Sequence, residues 1–387
     1  MKIEVYGLGK LGLPLASVLT RDGHEVRGWD ASPDRVDWCI DQQRMERAHG
    51  VSIIEEPGVY VDNIVFGRDP DPATLNYVVV PTPSKEDGEF DESFVVDALQ
   101  TIVEVNGGKH ATAVVISTVF PGTMDWLWNG YGHQLTLVYN PTFIALGTVV
   151  ENLTRPNMLL FGVAEEDEVS IVEDVWRNCT ENVYHTHIGS YVEAELLKLS
   201  INCALATKIS LANQLGHLFS AYGVDPSIVS EIGADPRIGP AYMMPGSPIS
   251  GPCLPRDNKA LQLAASKVQQ RLPLSEATED VDFELRLRLY NDITDEIVEQ
   301  CGMNKVGTVG LLGVTYKYGV PLTEGAVGAW LESRLQEDGF EVRVYDDGWA
   351  ASDDLDTVLG CDVVVVTHKE LTRLSENAKG AVIHVWP

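Results

Sequence analysis

The sequence has no apolar run of membrane-spanning length, and its first residues open into a strand pattern, not a secretory signal. A membrane protein or an exported one is therefore not expected. Cysteine is scarce and scattered. The six, at 39, 179, 203, 253, 301 and 361, make no CxxC pair and no metal-ligand spacing. That argues against a disulfide framework or a bound metal and fits a reducing cytoplasm. Basic residues are few, 28 Lys and Arg against 57 Asp and Glu, giving a net charge of −29. Such a chain is a poor partner for nucleic acid or an anionic membrane surface. Any anionic ligand has to be held by a local cluster of cations or by backbone amides. A salt-rich cytoplasm would favour an acidic surface of this kind.

What is present suffices for two or three domains with full cores: 387 residues, 44% of them hydrophobic. Lys2–Tyr6 reads as a strand that runs into Gly7-Leu8-Gly9-Lys10-Leu11-Gly12. A helical segment, Leu13–Thr20, follows, and a second strand, Glu25–Trp29, ends at Asp30. Strand, GxGxxG, helix, strand and acid in this order predict a dinucleotide site. The glycines allow a tight turn and close approach of a pyrophosphate to the helix start, and the acid accepts from a ribose hydroxyl. Asp30 favours NAD over NADP. Arg35 tempers this, since it can pair with a 2′-phosphate or stack on adenine. Strands at Tyr77–Val80 and Ala113–Ile116 end in Pro81-Thr82-Pro83 and in Ser117 to Thr123. In a parallel sheet those carboxyl ends face the ligand, so Pro81, Thr82 and Thr118 are expected beside the cofactor. Leu135–Tyr139 and Met158–Phe161 read as further strands.

From Tyr191 to Tyr222 the apolar spacing is helical and unbroken by proline, which predicts one long spine. Lys198 and Asn202 share a face of it. A solvated face is the default for such a pair, but the apolar neighbours of Lys198 make partial burial plausible. Further on, Gly251-Pro252-Cys253-Leu254-Pro255-Arg256-Asp257 puts a cysteine at a helix start, where the partial positive charge favours a thiolate and Arg256 adds a cation. Glu276–Asp282 reads as a linker and Phe283–Cys301 as a connecting helix. A second βαβ pattern begins at Lys305, with strand Val306–Leu312, helix Ala326–Asp338 and strands Glu341–Tyr345, Val363–Val366 and Ala381–Val385. It lacks GxGxxG. A half-Rossmann unit holding one nucleotide, with Lys317 as its cation, is the better expectation.

Nearly end to end, the chain resembles the UDP-glucose/GDP-mannose dehydrogenase family. The motifs that carry the resemblance are Gly7–Gly12, Val80–Pro83, Ser117–Thr123, Asn140-Pro141, Glu195–Asn213, Arg237–Gly239, Gly251–Leu261 and Tyr316-Lys317. It implies an α/β protein of two Rossmann-like, doubly wound domains joined by an α-helical middle domain with the long spine. The expected bounds are 1–188, 189–302 and 303–387. It also implies a homodimer formed through the middle domain, and an NAD-dependent, four-electron oxidation of a nucleotide sugar's C6 alcohol to a carboxylate. Cys253 would be the nucleophile, passing through a thiohemiacetal and a thioester. Lys198 and Asn202 would stabilise the oxyanion. Asp257 would hold Lys198 or a water, and Thr118 would position water. Arg256 would join Gly7–Gly12, Asp30, Arg35, Pro81, Thr82 and Thr118 around the cofactor. The sugar nucleotide would meet Thr142, Phe143, Leu146, Lys198, Asn202, Arg237, Tyr242, Ser250, Tyr316 and Lys317.

The chain departs from the family at several places. Thr142 and Leu146 stand where glutamates are common, Ser247-Pro248-Ile249-Ser250 replaces a glycine-rich loop, Arg256 replaces a frequent lysine, and Pro321–Gly325 is altered. These changes leave the sugar, the base and the hydrolytic step open. UDP-glucose leads, with a UDP-N-acetylhexosamine or GDP-mannose as alternatives. Two other readings are a two-electron dehydrogenase of a small hydroxy acid and a nucleotide-sugar-binding protein with impaired turnover.

Overall fold

The computed structural model describes residues 1–49, 56–182, 184–302, 307–347 and 349–386. The chain packs as two compact units, Met1–Lys198 and Leu199–Pro387, whose boundary falls inside one helix.

In the first unit, β1 (Lys2–Tyr6), β2 (Glu25–Trp29), β3 (Val65–Phe66), β4 (Leu75–Val78), β5 (Ala111–Val115), β6 (Leu135–Tyr139), β7 (Met158–Gly162) and β8 (His185–Gly189) make one sheet. Its order is β3-β2-β1-β4-β5-β6-β7-β8. Every neighbouring pair is parallel except β6 with β7. The order of strands reverses at β1, which lies between β2 and β4, as in a doubly wound fold, whose ligands lie at the carboxyl ends of the strands. Helices cover both faces, so the central strands are apolar on both sides. One core gathers Leu15, Val18, Val36 and Trp176, the other Leu99, Met124, Leu137 and Tyr191.

Two strands differ from expectation in register. β4 ends at Val78: the Val79 amide makes the last ladder bond, to the Tyr6 carbonyl, and the Val80 amide turns instead to Ser117 Oγ, which takes the chain into its turn. β5 begins at Ala111, since Ala111 and Thr112 already pair with Leu135 and Thr136. The edge strand β8, His185-Thr186-His187-Ile188-Gly189, has no sequence counterpart in the expectations, as its polar residues hide any alternation.

The long helix Tyr191–Ala221 has 31 residues. In the second unit, helices Cys253–Lys267 and Pro273–Cys301 precede a sheet of β9 (Thr308–Leu312), β10 (Glu341–Tyr345), β11 (Val363–Val366) and β12 (Ala381–His384). That sheet is all parallel, in the order β10-β9-β11-β12. Val306, where the pattern starts this unit's first strand, lies outside the described residues. The expected linker at Glu276–Asp282 is not one. Pro273 opens a helix that runs through it, and Ser275 Oγ donates to Asn258 Oδ1 at 2.7 Å on the neighbouring helix. Charge alone does not break a helix. Among the described residues, no helix is long and apolar enough to cross a membrane.

Candidate active site

The turn after β1 is built for close approach. Gly7 has φ +98°, and a Cβ there would sit 2.2 Å from the Val79 carbonyl oxygen. A Cβ on Gly12 would sit 1.9 Å from the Gly7 oxygen, so only glycine lets the helix pack this near. Around Gly9, by contrast, nothing lies within 4 Å of the position a Cβ would take, and the open side is free for a ligand. Leu8 is buried and its amide donates to Asp30 Oδ2 at 2.8 Å, while Asp30 Oδ1 accepts from Ser32 N at 2.9 Å. Lys10 is exposed and Leu11 half-buried on the same turn. Arg35 Nε donates to the Leu8 carbonyl at 2.7 Å, and its guanidinium stacks on Trp38, 4.1 Å from the ring centre. These residues fit a bound dinucleotide: an open glycine edge, a helix start and an acid at the end of β2.

At the ends of β4 and β5, Ser117 Oγ donates to the Val80 carbonyl at 2.7 Å, and Thr82 Oγ1 donates to the Thr118 carbonyl at 2.7 Å. The Thr82 hydroxyl is thus engaged in joining the two turns and is buried. Pro81 is exposed and Thr118 half-buried. After β6, Thr142, Phe143 and Leu146 are half-buried. Lys198 is buried, against the default of a solvated face. Its Nζ donates to the Thr142 carbonyl at 2.8 Å and lies 4.7 Å from the centre of the Phe143 ring.

The second unit carries the cysteine. Cys253 is the first residue of its helix and is exposed, with Pro252 as N-cap. Burial pushes the Cys39 thiol up to about 11 and the Cys179 thiol up to about 12, so neither is a ready nucleophile. One turn along from Cys253, Asp257 is 1% exposed. Its Oδ2 accepts from Asn202 Nδ2 at 2.6 Å, and its Oδ1 pairs with Arg256 Nη2 at 2.9 Å. Arg256, expected at the cofactor, pairs here with Asp257. Gly251, with φ +87°, brings the turn against Tyr316: a Cβ would lie 2.7 Å from Tyr316 Cδ2. Ser250 Oγ donates to the Tyr316 carbonyl at 3.3 Å. Tyr316 and Ser250 thereby join the cysteine turn, and Lys317 beside them is exposed. Arg237 is exposed and folds back on Asp235. Tyr242 holds φ +62° with an exposed side chain, a strained backbone of the kind that clusters at functional sites.

Several residues not singled out from sequence hold the loop from Tyr242 to Ser250. Asn213 accepts from the Gly246 amide at 2.7 Å and donates to the Ser247 carbonyl at 3.1 Å. Asp282 accepts from the Ile249 amide and Arg286 donates to the Ile249 carbonyl. Trp386 lies so close on Gly246 that a Cβ there would be 2.2 Å from its ring. Asp282 falls at the end of the supposed linker, and no local pattern marks Trp386.

The turn after β9 repeats the turn after β1. Gly313 N donates to the Tyr345 carbonyl at 2.8 Å, as Gly7 N does to Trp29. Asp346 Oδ2 accepts from Val314 N at 2.8 Å, as Asp30 does from Leu8. A Cβ on Gly328 would meet the Gly313 oxygen at 2.2 Å. The two glycines stand fifteen positions apart here and five in the first unit, so a loop bearing Tyr316 and Lys317 is inserted.

Residues 1–180 match the family model for the NAD binding domain of the UDP-glucose/GDP-mannose dehydrogenase family, and residues 192–283 match that for its central domain. The GDP-mannose 6-dehydrogenase of Pseudomonas aeruginosa is 26% identical over 366 residues, which cover 89% of this chain and 81% of that protein. A putative UDP-glucose 6-dehydrogenase of Bacillus subtilis is 28% identical over 364 residues, with the same two shares. A solved UDP-glucose dehydrogenase from the archaeon Pyrobaculum islandicum superposes with a TM-score of 0.85 at 24% identity. That match covers 100% of this chain and 94% of the other, and it speaks for the fold.

Proposed function

The chain belongs to the UDP-glucose/GDP-mannose dehydrogenase family, a family of NAD-dependent nucleotide-sugar 6-dehydrogenases, and we propose that it oxidises a nucleotide sugar of the UDP-glucose type to the uronate through Cys253. The observation that carries this reading is the exposed Cys253 at a helix start, on one face with a buried Asp257 held by Asn202 and Arg256.

Gly7–Gly12 and Asp30 would hold NAD, and two NAD molecules bound in succession would each accept one of the two hydrides that leave C6. Cys253 adds its sulfur to the C6 aldehyde and keeps it on the protein as a thiohemiacetal, so the aldehyde is not lost before it is oxidised to the thioester. Lys198, with its ammonium buried on the long helix, stabilises the oxygen that becomes negative in that addition, and Asn202 donates to it. Asp257 fixes Asn202 by accepting from its amide group. Thr118, beside the cofactor turn, positions water. Thr142 and Leu146 carry no acid, so in this reading the thioester is hydrolysed by a water that side-chain hydroxyls and Lys198 orient. The loop around Tyr242, Tyr316 and Lys317 takes the nucleotide, with Arg237 reaching the sugar of a second copy. An apolar hollow of about 640 Å³ along Cys203, Thr207 and Leu211, against Met243 and Leu272–Ser275, suits packing of the middle segment on that copy.

The test is NADH yield from purified enzyme with UDP-glucose, GDP-mannose and UDP-N-acetylmannosamine. Two NADH per sugar are expected, and Cys253→Ala should lose on the order of 10³-fold or more in rate. Folded enzyme that gives no NADH with any of them would defeat the proposal. Thr142 and Leu146 favour one other reading, binding without turnover. A sugar nucleotide that raises the melting temperature while no NADH forms would select it.

A further inference from the structure

Three residues before Lys198 on the long helix stands a second buried charged group. Glu195 is 0% exposed. Its Oε2 accepts from the Gly122 amide at 2.6 Å and its Oε1 from the Met124 amide at 2.8 Å. Gly122, with φ +95°, is the N-cap of helix Thr123–Tyr131, which has no side-chain cap of its own. The orphan amides of that helix start are met from 73 positions away in sequence. The turn they belong to begins at Thr118, which the Thr82 hydroxyl fastens from the other side. One helical turn beyond Glu195, Lys198 donates to the Thr142 carbonyl. The long helix is thus tied at successive turns to the loop after β5 and the loop after β6, first by a carboxylate and then by an ammonium.

We propose that Glu195 is a positioning residue of the reaction, fixing the register between the Thr118 turn and Lys198. The inference rests on the 6-dehydrogenase reading. Its two oxygens face two different amides, so a slide or rotation of the helix breaks both bonds and strands a buried carboxylate, which makes the register stiff. With φ +95°, position 122 disfavours the serine or aspartate that would cap the helix locally. Reaching across from the helix that bears Lys198 does something a local cap cannot.

The charged groups that face Glu195 are Asp125 on the capped helix and Glu92 just before helix Ser93–Val105, both acidic. Burial, opposed by the two amides and aided by these acids, raises the Glu195 carboxyl to about 7. A protonated carboxyl turns a hydroxyl towards one N–H and loses one of the two bonds. The register therefore loosens as pH falls through about 7.

Glu195→Gln keeps the shape and one acceptor but sets an NH₂ against an amide, whereas Glu195→Ala removes both acceptors. Initial rates with NAD and UDP-glucose or GDP-mannose, from pH 6 to 9, should show kcat down on the order of 10- to 100-fold in E195Q. The KM for NAD and for the sugar should stay within about twofold, because uniform binding is untouched. The acid limb of the wild-type profile should be absent in E195Q. In unliganded protein, exchange of the Gly122 and Met124 amides should quicken in E195Q. Wild-type kcat with a wild-type acid limb in E195Q overturns the inference, and so does unchanged protection of those two amides. That exchange measurement needs no substrate, so it judges Glu195 even if wild-type enzyme forms no NADH, a result that would sink the 6-dehydrogenase reading instead.

Discussion

Asn202 donates to Asp257 across 2.6 Å, and this bond ties the long helix to the helix that Cys253 begins. Because Asp257 is buried, it depends on Asn202 and Arg256 for its compensation. Asp257→Ala leaves both donors without it, and breaking a buried pair costs about 3–5 kcal/mol. Asp257→Asn should cost less stability yet lower kcat by at least about tenfold, since Asn202 then loses a charged acceptor. Urea unfolding beside NADH rates separates the two. An active D257A with wild-type stability would contradict the arrangement.

Stability should fall as pH rises from 5 to 9. Glu4 on β1 is 0% exposed, and burial raises its carboxyl to about 8, with Arg27 nearby opposing. Its folded pKa lies above the unfolded value, so its contribution is fully present below about pH 4.5 and is lost as pH rises through about 8. Glu195 acts with the same sign on global stability through about 7, since burying its carboxylate costs more than the amide bond it loses on protonation. Glu4→Gln should flatten this slope and exceed wild type by a few kcal/mol at pH 9. Denaturant melts at pH 5, 7 and 9 check it; parallel curves for the two proteins would refute it.

Salt should stabilise the protein. A net charge of −29 makes the folded state repel itself, and the Debye length shrinks from about 10 Å at 0.1 M to about 3 Å at 1 M. The melting temperature should rise by several degrees between 0.1 and 2 M KCl and level off as screening saturates. A flat or falling curve would show that paired surface charges already cancel the repulsion.

Trp386 and Asp282 should govern the sugar nucleotide and not NAD. They hold Gly246 and Ile249 of the loop that starts at Tyr242. Trp386→Ala and Asp282→Ala are each expected to raise the KM for the sugar nucleotide about tenfold while the KM for NAD stays put. Equal changes in both constants would point to general loosening instead.

The parts legible in sequence are those with a short-range cause. Gly7, Gly12 and Asp30 announce their turn because backbone clearance and a strand-end acid recur at fixed spacing. The 31-residue helix announces itself by period. Lys198 is buried as its apolar neighbours suggest. Asp282, Arg286 and Trp386 escape notice because they reach Gly246 and Ile249 from far along the chain, where no periodicity connects them. Glu195 opens the Glu195–Asn213 motif, but its use as a distant cap depends on Gly122 and Met124 arriving beside it. The linker at Glu276–Asp282 fails as an expectation because acidity resembles solvation whether or not the segment is helical.

Closure of the second sheet's turn rests on Gly313, Thr315, Gly328 and Asp346, while the chain from Lys317 to Glu324 leaves and returns. Substitutions there can accumulate without disturbing the strands beneath. Pro321–Glu324, read from sequence as an altered run, lies in that span, whereas Gly325, with φ +70° and no room for a Cβ beside the Gly251 oxygen, anchors it to the cysteine turn by accepting from the Gly251 amide at 3.2 Å. With Tyr316 and Lys317 taking the nucleotide as proposed above, substitutions in this loop are expected to shift substrate preference on an unchanged frame.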